Sequence, residues 1–153
     1  MLFPIDDNIF KNGFCWGRFE ARVDEASRLR LNKGIITILK ENKVRQLWRF
    51  LDPLRKGLIL CPPQNRQRYI EIAITHFPPK EDNEVSYRKY ISTGEPTAFD
   101  KQGRISFTAA CIEYSKIKPG DQIILLGIGP WYELWSFEEW LARIHNQSGG
   151  SKK

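Results

Sequence analysis

The sequence predicts an α+β fold made of two tandem copies of one small unit. Three observations carry that expectation. An Asp-x-x-x-Arg pattern leading into a strand occurs twice, as Asp24 with Arg28 and as Asp100 with Arg104, so that both members recur at one constant offset. The segments around these turns alternate apolar and polar residues with the period of a half-buried strand. The two halves also show one order of elements: strand, Asp-led turn, strand, short helix, strand, turn, strand, helix.

Taken in order, residues 1–13 have no clear period and read as an N-terminal arm. Residues 16–23 alternate, with Phe19, Ala21 and Val23 on one face and Arg18, Glu20 and Arg22 on the other. A turn over 24–27 leads to residues 28–31, where Leu29 and Leu31 point inward and Arg28 and Arg30 outward. The expected outer face carries Arg18, Arg22, Arg28 and Arg30, although a merely solvated sheet face is the plainer alternative. Asn32 can cap a helix over 33–42. Ile35-Ile36-Thr37-Ile38 is poor helix sequence, because β-branched side chains lose χ1 freedom there. Strands are expected over 44–50 and 57–61, then a helix to His76 opened by Pro63 or Gln64.

Residues 78–96 form a linker and connecting helix between a first repeat, 14–77, and a second, 97–146. In the second repeat, Asp100 and Gly103 shape the turn before Arg104. Gly103 suits a left-handed position, while the Asp24 and Asp100 carboxylates suit bonds to turn N–H groups. Thr108 can cap a helix over 109–115. Strands are expected over 122–126 and 131–135, with a turn over 127–130 between them. Ser136 with Glu139 has the capping-box spacing for a helix to about His145. Residues 147–153 are Gly, Ser, Lys and polar, and read as a disordered tail.

At 153 residues the chain suits one domain, or two very small halves sharing a core. No apolar run approaches the ~20 residues of a membrane-spanning helix. Residues 1–7 carry two aspartates and no basic segment, so a signal peptide is not expected and the expected location is cytoplasmic. Three scattered cysteines, Cys15, Cys61 and Cys111, suggest buried small hydrophobes rather than a disulfide framework. The net charge of +6 is unevenly spread: residues 1–77 hold 14 Lys and Arg against 8 Asp and Glu, and residues 78–153 hold 10 of each. Nine of the 14 are arginine, the residue suited to bidentate phosphate and guanine contacts. The charge alone fits a solvated basic face as well as a nucleic-acid partner.

No Ser/His/Asp set, paired carboxylates or metal-ligand spacing emerges, so neither an enzyme nor a cofactor or small-molecule substrate is expected. Gly127-Ile128-Gly129 follows a strand but leads into Pro130 and another strand, so it lacks the helix N-terminus of a dinucleotide site. Trp131, Tyr132, Trp135 and Trp140 read as core or subunit interface, with base stacking the less common use.

The stretch Phe99-Asp100-Lys101-Gln102-Gly103-Arg104-Ile105 resembles a signature of the MraZ family of bacterial transcriptional regulators. So do Ile123-Ile124-Leu125-Leu126-Gly127, Tyr132-Glu133-Leu134-Trp135-Ser136 and Glu139-Trp140. That family is built from two tandem SpoVT/AbrB-type repeats, and the resemblance covers residues 13–146. It implies a swapped-hairpin, AbrB-like β-barrel with short helices, ring-like homo-oligomers, double-stranded DNA as partner at repeated promoter boxes, and a nucleoid-associated location. Asp24 and Arg28 match the spacing the family uses for DNA contact. Three features depart from the family: Ser27 stands where Gly is usual, Ile35-Ile36-Thr37-Ile38 is an unusual helix, and the N-terminal arm is long. Arg28 is therefore expected to contact DNA through the resemblance, and Arg30, Arg22 and Arg18 through their shared face. Arg104 is ambiguous between DNA and a structural ion pair with Asp100. An interaction protein that kept the fold and lost DNA binding is the alternative. An antitoxin of the AbrB type is a weaker one, because the C-terminal tail is short.

Overall fold

The computed structural model describes residues 13–52 and 57–150, apart from residues 77, 79, 81, 83 and 93. Strand β1 (Cys15–Arg22) alternates as its sequence requires and passes through the Asp24 turn into β2 (Arg28–Arg30). The Asn32 side chain accepts from the Gly34 N–H and starts α1 (Lys33–Glu41). Ile35 and Leu39, one turn apart, are buried, and this packing overrides the weak helix propensity of the isoleucine run. Strands β3 (Gln46–Leu51) and β4 (Leu58–Cys61) follow, then a 3₁₀ turn over Pro63–Asn65 that opens α2 (Arg66–His76). Helix α3 (Glu84–Ile91) lies in the connecting segment. The second half supplies β5 (Glu95–Ala98), β6 (Arg104–Ser106) and α4 (Ala109–Ser115), whose cap is Thr108 as expected. It ends with β7 (Gln122–Gly129), β8 (Tyr132–Ser136) and α5 (Phe137–Gly150).

Six strands form one antiparallel sheet in the order β1-β7-β8-β4-β3-β5. Exchanging each strand with its counterpart in the other half (β1 with β5, β3 with β7, β4 with β8) reverses this order and leaves it unchanged. The register agrees: Arg22 faces Gln122 and, at the equivalent repeat positions, Ala98 faces Gln46. First- and second-half strands are thus interleaved around a pseudo-two-fold axis between β4 and β8.

The expected closed β-barrel is not what forms. The large sheet stays open, with β1 and β5 at its edges, and β2 and β6 make a separate two-stranded ribbon. The four-residue β5 carries Pro96, a residue that sheets confine to edges because it has no N–H to donate.

Local differences from the sequence reading have physical reasons. Strand β7 runs straight through 127–129, where a turn is expected, because Gly127 lets β1 come close: a Cβ there would stand 2.6 Å from the Cys15 carbonyl oxygen. Helix α5 continues to Gly150, past the expected start of the tail at 147. Residues 1–12 of the arm and 151–153 of the tail lie outside the described residues.

One face of the sheet packs on the ribbon, α1 and α4, with Leu29, Ile105, Ile35, Leu39 and Leu125 in that core. The other face packs on α2, where Tyr69 stacks on Phe50 at 3.9 Å between ring centroids and meets Trp131 edge-on. Trp131, Tyr132 and Trp135 are buried within the chain, so they supply core rather than an exposed assembly surface.

Candidate nucleic-acid interface

The two Asp-led turns build nearly the same object. In the first, Asp24 Oδ1 accepts from the Ala26 and Arg28 N–H groups at 2.9 Å, and Oδ2 accepts from Arg28 Nε at 3.0 Å. In the second, Asp100 Oδ1 accepts from the Gln102 and Arg104 N–H groups at 2.8 Å, and Oδ2 from Arg104 Nε at 2.6 Å. Each carboxylate thus fixes a turn and orients the arginine that follows it. The left-handed position is Ser27 (φ 57°) in one turn and Gly103 (φ 74°) in the other. The turns also interlock: Leu31 N–H donates to Gly103 O and Phe107 N–H donates to Ser27 O, both at 2.9 Å and at equivalent positions of the two repeats.

Both aspartates titrate below the ordinary carboxylate range. For Asp24, desolvation opposes ionisation, but the backbone N–H groups of Arg28 and Ala26 and the Arg28 guanidinium outweigh it. For Asp100 the Arg104 N–H is the strongest influence, and the Arg104 side chain and the Gln102 N–H act with it against desolvation. The charged forms therefore dominate wherever the protein is folded at neutral pH.

The ribbon pairs Arg28 with Ser106, Leu29 with Ile105 and Arg30 with Arg104. Leu29 and Ile105 point into the core and are fully or almost fully buried. Period two then places Arg28, Arg30, Arg104 and Ser106 together on the opposite face. Arg30 Nη2 donates to Gln102 Oε1 at 2.7 Å. Arg30 and Arg104 stand directly across from each other, an arrangement of like charges that costs a sheet stability.

The expected four-arginine face is divided differently. Arg18 and Arg22 belong to β1 in the large sheet, not to the ribbon. Exposed Arg18 lies 3.8 Å from Glu20, and Arg22 Nη1 donates to Gly120 O at 2.8 Å. Arg104, which the charge count by halves sets apart, joins Arg28 and Arg30, because β6 pairs with β2 across the repeats. Its ion pair with Asp100 repeats that of Arg28 with Asp24, so the pair itself does not distinguish the two arginines.

Two supporting residues escape the sequence reading. Gln102 holds Arg30, and nothing local in the sequence announces so distant a partner. Arg49 is buried in β3, where its guanidinium donates to Ser106 O and contacts Glu95 at 3.1 Å, tying the ribbon to the large sheet. A signal for Arg49 exists: it is the one charge in the apolar run Leu47-Trp48-Arg49-Phe50-Leu51. Cys15, Cys61 and Cys111 are buried and unbridged, and burial pushes the Cys15 thiol up to about 12. Among the described residues, no group of three or more His, Cys, Asp or Glu side chains could hold a metal ion, and no helix is long and apolar enough to cross a membrane.

No family model matches the chain. Comparison with curated proteins finds relatives named "Transcriptional regulator MraZ". The protein of that name from Lactiplantibacillus plantarum is 25% identical over 126 residues, covering 82% of this chain and 84% of the relative. The one from Natranaerobius thermophilus is 29% identical over 83 residues, covering 54% of this chain and 57% of the relative. The one from Halothermothrix orenii is 28% identical over 79 residues, covering 51% and 54%. The chain thus spans somewhat over half the length of two of these relatives and most of the third. With its two interlocked Asp-x-x-x-Arg turns, the chain is thus similar, at 25–29% identity and over as much as 82% of its length, to proteins named as MraZ transcriptional regulators.

Proposed function

We propose that the protein is a sequence-specific, double-stranded DNA-binding transcriptional regulator, and that the β2–β6 ribbon enters the major groove. The observation that carries this reading is the arginine face of the ribbon. Three arginines share one face of a two-stranded sheet whose other face is core, and two of them oppose each other directly. A fold gives up stability to hold like charges together where function requires them. A two-stranded ribbon fits the major groove, and arginine is the side chain that reads guanine there by a bidentate contact. Asp24 and Asp100 orient two of the three arginines in advance, which lowers the entropy lost on binding.

The transcription-regulator names of the relatives agree with this reading. The interlocked turns and the palindromic strand order support a swapped-hairpin relation between the repeats, within the proposed boundaries of 14–77 and 97–146. Few arginines reach the DNA from one chain, so specific binding calls for several copies acting on repeated promoter boxes through effective concentration. A ring-like oligomer meets that need and would place the protein on the nucleoid in the cytoplasm. Sedimentation should accordingly give a species larger than 17.9 kDa.

The test is titration of the protein against the DNA upstream of its own gene at a series of salt concentrations. Binding should weaken steeply as salt rises, because phosphate contacts release counterions. Absence of affinity even at low salt would contradict the reading and leave an interaction protein of the same fold.

A further inference from the structure

We propose that the cleft between α1 and the second turn seats a DNA phosphate backbone, so that the duplex lies asymmetrically across the pseudo-two-fold axis of the ribbon. The inference rests on the DNA-binding reading above and specifies which flank of the ribbon holds the backbone. The cleft has a volume of about 630 Å³ and is lined by Arg30, Lys33, Thr37, Lys40, Lys101 and Gln102, among others. Lys33, Thr37 and Lys40 are spaced by four and three residues and form one stripe on α1. At a rise of 1.5 Å per residue, the two lysines stand about 10 Å apart along the helix. All three lysines are exposed, and none has an ion-pair partner among the described residues. Asp100 borders the cleft but is committed to Arg104 at 2.6 Å.

The equivalent positions of the other repeat carry the opposite balance. Ala109 corresponds to Lys33, Glu113 to Thr37, Glu25 to Lys101 and Ser106 to Arg30, and only Lys116 matches Lys40 in charge. With the two Asp–Arg pairs set aside, one flank of the ribbon holds four cations and no anion, and the other holds one cation and two carboxylates. A polyanion is drawn to the first and repelled by the second. The hydrogen bonds of the two turns are alike, so this difference in charge is what breaks the symmetry of the docking surface. Lysine acts as a point charge without fixed geometry, which suits contacts that position the duplex without reading its sequence.

The test compares wild type with Lys33→Ala/Lys40→Ala/Lys101→Ala and with Glu25→Gln/Glu113→Gln on upstream and scrambled duplexes across a salt series, with thermal melts to confirm folding. Lys101→Glu alone serves as a second, milder probe of the same cleft. The triple variant should bind both duplexes more weakly by a similar factor, and its salt slope should shrink by ~2–3, about 0.9 for each phosphate no longer neutralised. The glutamate variant should keep the wild-type slope. If wild type binds DNA and the triple variant and Lys101→Glu keep its slope, this inference falls and the DNA reading stands. A change of slope as large in the glutamate variant would show symmetric docking and overturn it as well. A wild-type protein that binds no DNA would remove both.

Discussion

The turns at Asp24 and Asp100 reach one geometry from different residues. Both aspartates accept two backbone N–H groups and one arginine Nε, and both turns close against the opposite strand. One turn uses glycine at its left-handed position and the other uses Ser27. The carboxylate, rather than the glycine, is therefore the part of the motif that fixes the turn. Glycine only removes a backbone cost that serine bears. The departure at Ser27 changes the energy of the first turn more than its shape.

The largest effects should come where the two halves meet. Leu29 and Ile105 are buried partners on the pseudo-two-fold axis of the ribbon, so Leu29→Ala and Ile105→Ala should each destabilise the fold by ~2–5 kcal/mol, and by similar amounts. Urea unfolding of the two variants checks this. A large cost for one and none for the other would break the symmetry argument. A smaller effect belongs to the left-handed positions. Gly103→Ser should lose ~1 kcal/mol to backbone strain, because a Cβ there meets only ordinary contacts, the nearest being Ile36 Cγ1 at 3.5 Å. Ser27→Gly should gain at most ~1 kcal/mol, since relief of strain is partly offset by the added freedom of the unfolded chain. Paired melting curves should show these opposite signs.

The smallest effect is in the pH dependence of stability. Both aspartate pKa values are lowered by folding, so their contribution is present in full above the unfolded value and is lost as pH falls through the folded one. Asp24→Asn and Asp100→Asn should therefore be less stable than wild type at neutral pH, with the gap narrowing in acid below about pH 4. A gap that widens in acid would mean the carboxylates do not anchor the turns.

Much of the local structure was legible. Thr108, Asn32 and Ser136 mark helix starts because capping depends on a side chain and an N–H only two or three residues apart. The turns were legible for the same reason. What alternation and charge leave unspecified is which strands pair across the halves, although the resemblance implies a swapped arrangement. Strand β6 lies against β2 of the other repeat, and this contact moves Arg104 beside Arg30 although its half carries no excess charge. Net charge by segment assumes that neighbours in sequence are neighbours in space, and interleaved repeats violate that assumption. Arg18 and Arg22 differ in the opposite sense: their alternation holds, but β1 belongs to the large sheet rather than the ribbon. The open sheet and the passage of β7 through Gly127 depend on close approach between distant strands, which alternation alone does not encode.

The DNA-binding proposal has the ribbon reading DNA with both turns. Its most direct test is one matched titration of Arg28→Ala and Arg104→Ala against upstream repeats and scrambled DNA, with oligomer size recorded for each. Both variants should stay folded and assembled, and both should lose specific binding, by ~1–3 kcal/mol for each bidentate base contact removed. An Arg104→Ala protein that remains assembled and keeps wild-type sequence preference, beside an Arg28→Ala protein that loses it, would return recognition to the first repeat alone and contradict the account.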